Sequence, residues 1–455
     1  MKYKRYPSYK DSGVEWLGDV PTSYIKKRLK FLGETYGGLS GKAGKDFNQD
    51  ANDANKKFIP FTNIANNRYI KSDNFGTVVV LPEETQNRIR KNDLFFLMSS
   101  EDYDDLGKSS LLDFDLDDAY LNSFCKGFRI DRECVNPRYL NYLLSGDTYR
   151  KLLQTQGNGF TRINLRLEKL RDLSLFIAHT TQEQKSIANY LDKATSKIDT
   201  LIEKQTKLIE LLKEKRQAVI SSAVTRGLDA SVPMKDSGVE WLGEIPEHWG
   251  VKKLKYVIRT IESGTSVNAA NTPATAEDIG VLKTSCVYSG KFRYKENKTV
   301  VENEKSRVTC PLKTNTLIVS RMNTPDLVGA AGWVAVAPNN IFLPDRLWQV
   351  HLSDSNVKYI HYLTLTNIYR GYIHTVCAGT SSSMQNLSQD DFKDFMIAVP
   401  DQVEQKSIAN YLDKIASKID NLITKSKQSI DLLKEKRTAL ISAAVTGKID
   451  VRDAA

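Results

Sequence analysis

The stretch Glu183-Gln184-Lys185-Ser186-Ile187-Ala188-Asn189-Tyr190-Leu191-Asp192-Lys193 returns unchanged as Glu404-Gln405-Lys406-Ser407-Ile408-Ala409-Asn410-Tyr411-Leu412-Asp413-Lys414. Extended to Thr225 and Thr446, the two copies agree at roughly 31 of 43 positions. A second anchor lies upstream of each: Lys10-Asp11-Ser12-Gly13-Val14-Glu15-Trp16-Leu17-Gly18 recurs at 235–243, and Asp19-Val20-Pro21 continues as Glu244-Ile245-Pro246. The chain is a tandem duplication with its joint near residues 227–233.

From Ile187 the apolar positions step by four and then three, through Leu191, Ile198, Leu201 and Leu212. The second copy runs through Ile408, Leu412, Ile419, Leu422 and Leu433. A repeat of 3.5 residues keeps one stripe of a helix facing a partner, so each copy predicts a coiled-coil helix. Tyr190, Ile202 and Ile209, with Tyr411, Ile423 and Ile430, widen the stripe beyond a two-helix seam and imply a further surface to cover. The polar seam positions Gln205 and Ser426 either fix register or are tolerated. Thr180-x-x-Glu183 and Asp401-x-x-Glu404 read as helix starts, and Gly227 and Gly447 as stops. Such a helix is about 65 Å long. With both in one chain, antiparallel pairing with pseudo-twofold symmetry is the economical arrangement; packing of each helix on its own domain, or homodimerisation, are the alternatives.

Between the anchors the copies keep nearly the same length but share only a skeleton. Asn92-Asp93-Leu94-Phe95-Phe96 answers to Asn315-Thr316-Leu317-Ile318-Val319, Asn164-Leu165 to Asn386-Leu387, and residues 60–70 to 281–292. Apolar runs at 77–81, 94–98, 317–320 and 333–337 predict strands, and 137–153 and 356–372 predict helices. The fold class is therefore α/β of the α+β kind, with two globular parts built on twisted mixed, largely antiparallel sheets. The domains divide as 1–180, the helix 181–227, 228–400, the helix 401–447, and a tail 448–455. Long polar loops at 37–57, 99–110 and 157–162, then 263–278, 321–326 and 379–385, are rich in residues that bond base edges and phosphates. Loops of this length in a compact domain lean toward function. One frame carrying two different loop sets suggests one scaffold with two specificities.

Hydrophobic residues make up 40% and charged residues 26% of the 455, as in ordinary soluble proteins. No run approaches the ~20 apolar residues that span a bilayer, and the basic start lacks the apolar core of a signal peptide, so a cytoplasmic location is expected. The formal charge of +10 suits a polyanionic partner. Cys125, Cys134, Cys286, Cys310 and Cys377 are odd in number and contain no CxxC pair, so neither a disulfide framework nor a metal site is expected. His374 and Cys377 lack a second ligand pair.

These features together resemble the specificity subunit of type I restriction–modification systems. The resemblance rests on the duplicated SGVEWLG-x-[IV]-P opening, the duplicated EQ-x-x-IA-x-YLD…LLKEKR…LI-S-A-V-T helix, and the Asn-Leu step after the loops at Gly157 and Gly379. It implies two target recognition domains, each reading one half of a bipartite asymmetric site in double-stranded DNA. The two helices would set the spacing as a ruler and dock two methyltransferase (modification) subunits, with restriction (translocase/nuclease) subunits completing the complex. No cofactor would belong to this chain; S-adenosylmethionine, ATP and Mg would belong to the partner subunits. By position in this frame, the residues expected to meet DNA are Thr62, Asn63, Ser99, Ser100, Asn158, Thr161 and Arg162 in the first half. In the second half they are Thr284, Ser285, Arg321, Asn323, Ser381, Ser382 and Gln385. Lys42, Lys45 and Lys283 are expected phosphate contacts.

Catalysis has little support in the residues. Asn136-Pro137-Arg138-Tyr139 approaches the amino-methyltransferase motif, but arginine replaces its second proline, and Pro137 suits a helix start. Pro400-Asp401…Glu404-Gln405-Lys406 imitates a nuclease motif with its carboxylates too close together, at a position better read as a helix cap. There is no Walker A sequence. The alternative function is a two-domain coiled-coil scaffold that binds proteins only.

Overall fold

The computed structural model describes residues 4–48, 54–131, 133–353, 355–381 and 384–454. The chain forms two compact units, one of residues 1–205 with 428–455 and the other of residues 206–427. Each unit thus holds one globular part and the facing halves of both long helices.

In the first unit a four-stranded antiparallel sheet runs in the order Gly33–Gly37, Cys125–Ile130, Asp93–Leu97, Ser109–Leu111. Its strand Asp93–Leu97 is buried on both faces, which explains the unbroken apolar run. Leu94 and Phe96 join the main core with Phe128, Tyr139 and Leu143, while Phe95 and Leu97 face a second core with Ile59, Leu121 and Cys125. A mixed three-stranded sheet (Ala119–Leu121, Asn55–Ile59, Gly76–Val79) supplies that second core. The second unit repeats the plan. Its antiparallel sheet runs Ile258–Ser263, Leu347–Leu352, Thr316–Ser320, Ala331–Val334, with Leu317 and Val319 on one core and Ile318 on the other. The retained Asn92 and Asn315 lead into these central strands with φ of 70° and 57°, a left-handed turn that asparagine tolerates better than most residues.

The helices expected over 137–153 and 356–372 are each two. Pro137–Ser145 gives way at Gly146 to Asp147–Thr155, and Val357–Thr364 is followed by Asn367–Val376. Asn136, Asn356 and Thr366 cap their helices by accepting from the backbone N–H three residues on, at 3.1, 3.1 and 3.2 Å. Asn136-Pro137 is thereby a cap and first helical residue.

The long helices run Thr181–Arg226 and Gln402–Val445. Each follows a strand of its own globular part: Ser174–Ile177, paired with Ile25–Arg28, and Met396–Val399, paired with Gly250–Lys253. Thr180 Oγ1 accepts from Glu183 N at 3.2 Å and Asp401 Oδ1 from Glu404 N at 2.8 Å. Glu404 then accepts from Trp249 Nε1 at 3.0 Å, so the carboxylate pair that imitates a nuclease motif is a cap and a strut.

Within each unit the helix halves are antiparallel. In the first, Asp199 pairs with Arg437 at 2.6 Å while Glu183, nearer the start, meets Arg452, beyond the end, at 4.0 Å. In the second, Arg216 pairs with Asp420 at 3.5 Å. Asp199 and Asp420 are equivalent in the repeat, as are Arg216 and Arg437, so one pair occurs once in each unit. Ile187, Leu191, Ile198, Leu212, Ile408, Leu412 and Ile419 are buried, and Leu433 packs against the first core. Leu201 and Leu422 are instead half exposed, contrary to their expected seam position. The inward residue is the next one, Ile202 or Ile423, because a step of four from Ile198 or Ile419 stays closer to the 3.6-residue turn. Ser426 is buried and Gln205 half-buried.

Candidate nucleic-acid interface

The sequence-predicted residues fall into two groups within each unit. In the first unit the strand Ser99–Ser100 pairs with Ile163–Leu165, which forms a hairpin with Gly157–Asn158. This small sheet gathers Ser99, Ser100, Asn158, Thr161 and Arg162, drawn from two loops far apart in sequence. Asn158, Thr161 and Arg162 are exposed. Ser100 Oγ accepts from Asp102 N at 3.1 Å, shaping the loop, and Ser99 Oγ is buried with no partner among the described residues. The second unit builds the same sheet from Met322–Asn323, Met384–Asn386 and Ala378–Ser381, bringing Arg321, Asn323, Ser381 and Gln385 together. Gln385 Oε1 is buried and unpartnered among the described residues, an acceptor with unused capacity. Ser382 lies outside the described residues.

The other group follows the strands Asn55–Ile59 and Gly280–Leu282. In the second unit Lys283 and Thr284 line a groove of about 400 Å³ with Asn268, Lys298, Asp345 and Arg346. Three cations face one carboxylate there, a balance suited to an anionic backbone. Arg346 also bonds the sheet group directly, its carbonyl accepting from Arg321 N at 3.1 Å. Thr284 Oγ1 lies 2.7 Å from Tyr288 OH, which accepts from Asn323 Nδ2 at 2.8 Å, so one network ties the groove to the sheet. In the first unit Thr62 is exposed on the short helix Phe61–Asn66, and Lys45 is exposed in its loop.

Several of the expected contact residues are engaged within the chain itself. Lys42 has a side chain only 6% exposed and pairs with Glu84 at 2.6 Å, whose carboxyl it holds below the usual range. Asn63 is fully buried; its Nδ2 donates to the carbonyls of Lys71 and Asn74 at 2.9 and 2.6 Å, and its Oδ1 accepts from Lys71 N at 3.0 Å. Asn323 is buried, and Ser285 Oγ donates to Glu296 at 2.8 Å. These residues hold loops in shape, because a short amide or hydroxyl satisfies a turn's backbone as readily as it reads a base.

The reading from sequence missed Lys298, Arg346 and Phe160 of the first hairpin. Lys298 lies in a strand and Arg346 between strands, outside the quoted loops. Phe160 lies inside a quoted loop but is apolar, and no pattern marks it as exposed. Arg162 places its guanidinium over the ring of Phe124 at 4.9 Å.

No group of three or more His, Cys, Asp or Glu able to hold a metal occurs among the described residues. All five cysteines are free, and every thiol is raised: Cys125 by burial to about 12, Cys286 by burial, Cys310 and Cys377 by burial to about 11, and Cys134 by its hydrogen bond to Asp131. A thiol shifted in this direction is a poor nucleophile at neutral pH. Among the described residues no helix is long and apolar enough to cross a membrane.

Comparison with known proteins fits this architecture. The profile of the type I restriction modification DNA specificity domain matches residues 27–211 and again 246–432. The EcoKI specificity subunit of Escherichia coli (strain K12) is 22% identical over 396 residues, covering 86% of this chain and 82% of that one. The EcoEI specificity subunit of Escherichia coli is 25% identical over 205 residues, covering 44% of this chain and 34% of that one, about a third of its length. Among solved structures, a chain from work on complex assembly and conformational transition of the type I R-M system aligns with a TM-score of 0.64 at 16% identity, covering 94% and 98% of the two chains. The HsdS subunit from Thermoanaerobacter tengcongensis gives 0.54 at 16% identity over the same shares. With the profile met once in each copy of the repeat, the chain belongs to the type I restriction–modification DNA specificity family.

Proposed function

We propose that this chain selects the DNA on which a type I restriction–modification complex acts, each unit reading one half of a bipartite, asymmetric site. The observation that carries the reading is the retained frame with diverged loops. Both units build the same small sheet beside the same central strand, yet the first carries Ser99, Asn158, Thr161 and Arg162 on it and the second Arg321 and Gln385. Lysine and arginine in the groove of the second unit would neutralise phosphates, and the amides and hydroxyls of the sheets would meet base edges.

The long helices set the distance between half-sites and seat two modification subunits. Leu211 and Leu432 occupy the same place in the repeated LLKEKR segment, and both are exposed, as are the lysines at 213, 215, 434 and 436. Identical residues that the fold does not bury suit a partner of one kind binding each helix. Methyl transfer and cleavage, with S-adenosylmethionine, ATP and Mg, belong to the modification and restriction subunits; this chain supplies recognition in the cytoplasm without catalysis.

The test is methylome sequencing of a host that expresses this chain with its cognate modification subunit. The expected result is a bipartite asymmetric methylated motif that disappears when this chain is deleted. An active, bound modification subunit that yields no such motif would refute the reading in favour of a protein-only scaffold.

A further inference from the structure

The hairpin of the first unit carries a side chain that the fold does not use. Phe160 sits at its tip, between the paired strands Gly157–Asn158 and Ile163–Leu165, with a relative exposure of 106%. The turn that presents it is tight. Gly159 has φ of 138°, and a Cβ there would lie 2.0 Å from the carbonyl oxygen of Arg162, so only glycine closes the hairpin in this form. The ring is thereby carried outward by a backbone that cannot fold back over it. Two residues on, the Arg162 guanidinium is stationed over Phe124, itself half exposed just before the strand Cys125–Ile130, which sets a cation and a second aromatic ring beside the hairpin.

A phenyl ring held in water gains nothing in the free protein. On a surface that also presents Asn158, Thr161 and Arg162, its chemistry matches an unstacked base step, where apolar side chains act as wedges and aromatic faces stack on bases. We propose that Phe160 is a wedge that inserts its ring into the base stack of the half-site read by the first unit, with Arg162 as the neighbouring phosphate contact. This rests on the proposed function, specifically on the hairpin facing DNA. The second unit has no counterpart ring: aligned on Asn164 and Asn386, the position holds Ser382. Distortion of the stack by this device is therefore confined to one half-site.

The test uses the complex of the full chain with its modification subunit and a duplex carrying the methylome-defined motif. 2-Aminopurine replaces one adenine at a time across both half-sites. Binding should raise the fluorescence several-fold at a step of the first half-site other than the methylated base. Phe160→Ala should abolish that signal and lower affinity about 5- to 100-fold, while Phe160→Trp keeps both. Since the ring packs on nothing, the melting temperature of F160A should equal that of the parent. If F160A retains the signal and the affinity while Arg162→Ala weakens binding, the wedge is overturned and the DNA-facing hairpin stands. If both variants bind like the parent, the placement of the hairpin on DNA falls as well. A complex that methylates no bipartite motif at all would remove the proposed function itself.

Discussion

The junction between globular part and helix, and the hairpin above the central sheet, differ sharply in how the two units treat them. At the junction Gln184 accepts from Asn136 N at 2.7 Å and donates to Ala178 O at 2.8 Å; Gln405 accepts from Asn356 N at 2.8 Å and donates to Pro400 O at 2.9 Å. About two turns on, Asp192 accepts from Tyr142 and pairs with Arg138, and Asp413 does the same with Tyr362 and Lys358. At the hairpin, by contrast, one unit presents Phe160 and Arg162 where the other has Ser382 and Met384. Much of the near-identity of the long helices is therefore explained inside each unit: these residues bolt a helix to its own domain. The exposed Leu211 and Leu432 are not accounted for in this way. Constancy marks what both units must share, and divergence marks what each must do alone.

The junction offers the largest test of this contrast. Gln184→Ala leaves the part-buried Asn136 N–H and the buried Ala178 carbonyl without partners, at a cost of about 3 kcal/mol. Gln405→Ala should cost the second unit the same. Chemical denaturation of each variant checks this, and unequal losses would break the equivalence of the two junctions.

A difference inside the frame gives the next effect. Where the first unit buries Asn141, which donates to Arg68 O at 2.8 Å, the second buries His361, whose Nε2 donates to Gly290 O at 2.8 Å. Burial lowers the His361 pKa to about 4. The folded-state value lies below the unfolded value of about 6.5, so the unfolded chain takes up the proton first. The stability contributed by the neutral ring is present above about pH 6.5 and is lost as pH falls toward 4, amounting to about 3 kcal/mol over that window. Thermal melts between pH 7 and 4 should show the second unit weakening, and His361→Asn should flatten the dependence. An unchanged pH profile in that variant would contradict the assignment.

Smaller effects belong to the surface. Lys298→Ala and Arg346→Ala should weaken binding to all duplexes alike, each reducing the slope of log affinity against log salt by about 1. A change confined to one sequence would instead make these residues base readers. The repeated Asp199–Arg437 and Arg216–Asp420 pairs are partly exposed, so removing either arginine should cost under about 1 kcal/mol, whichever unit is altered.

The duplication, the long helices and the mixed sheets were legible because they rest on identity and periodicity, which a single sequence displays. The caps at Thr180 and Asp401 and the strand after Asn92 followed from local chemistry. Leu201 was misplaced because steps of three and four are nearly degenerate, and only packing against the opposite helix selects Ile202. Individual contacts were less legible for a different reason. Asn63, in the short helix Phe61–Asn66, and Asn158, at the edge of a polar loop, are the same residue type, yet one is enclosed by Lys71 and Asn74 and the other faces water. That difference is made by residues distant from the loop's own pattern. Phe160 was overlooked because an aromatic residue is ordinarily assigned to a core, and its exposure follows from the turn at Gly159.

Independent reading of one half-site by each unit is tested by replacing residues 1–180 with the corresponding part of a family member of different specificity and sequencing the methylome. The expected outcome is a new motif in which one half-site changes while the other half-site and the spacing persist. A motif altered in both halves, with the hybrid folded and bound to its modification subunit, would contradict it.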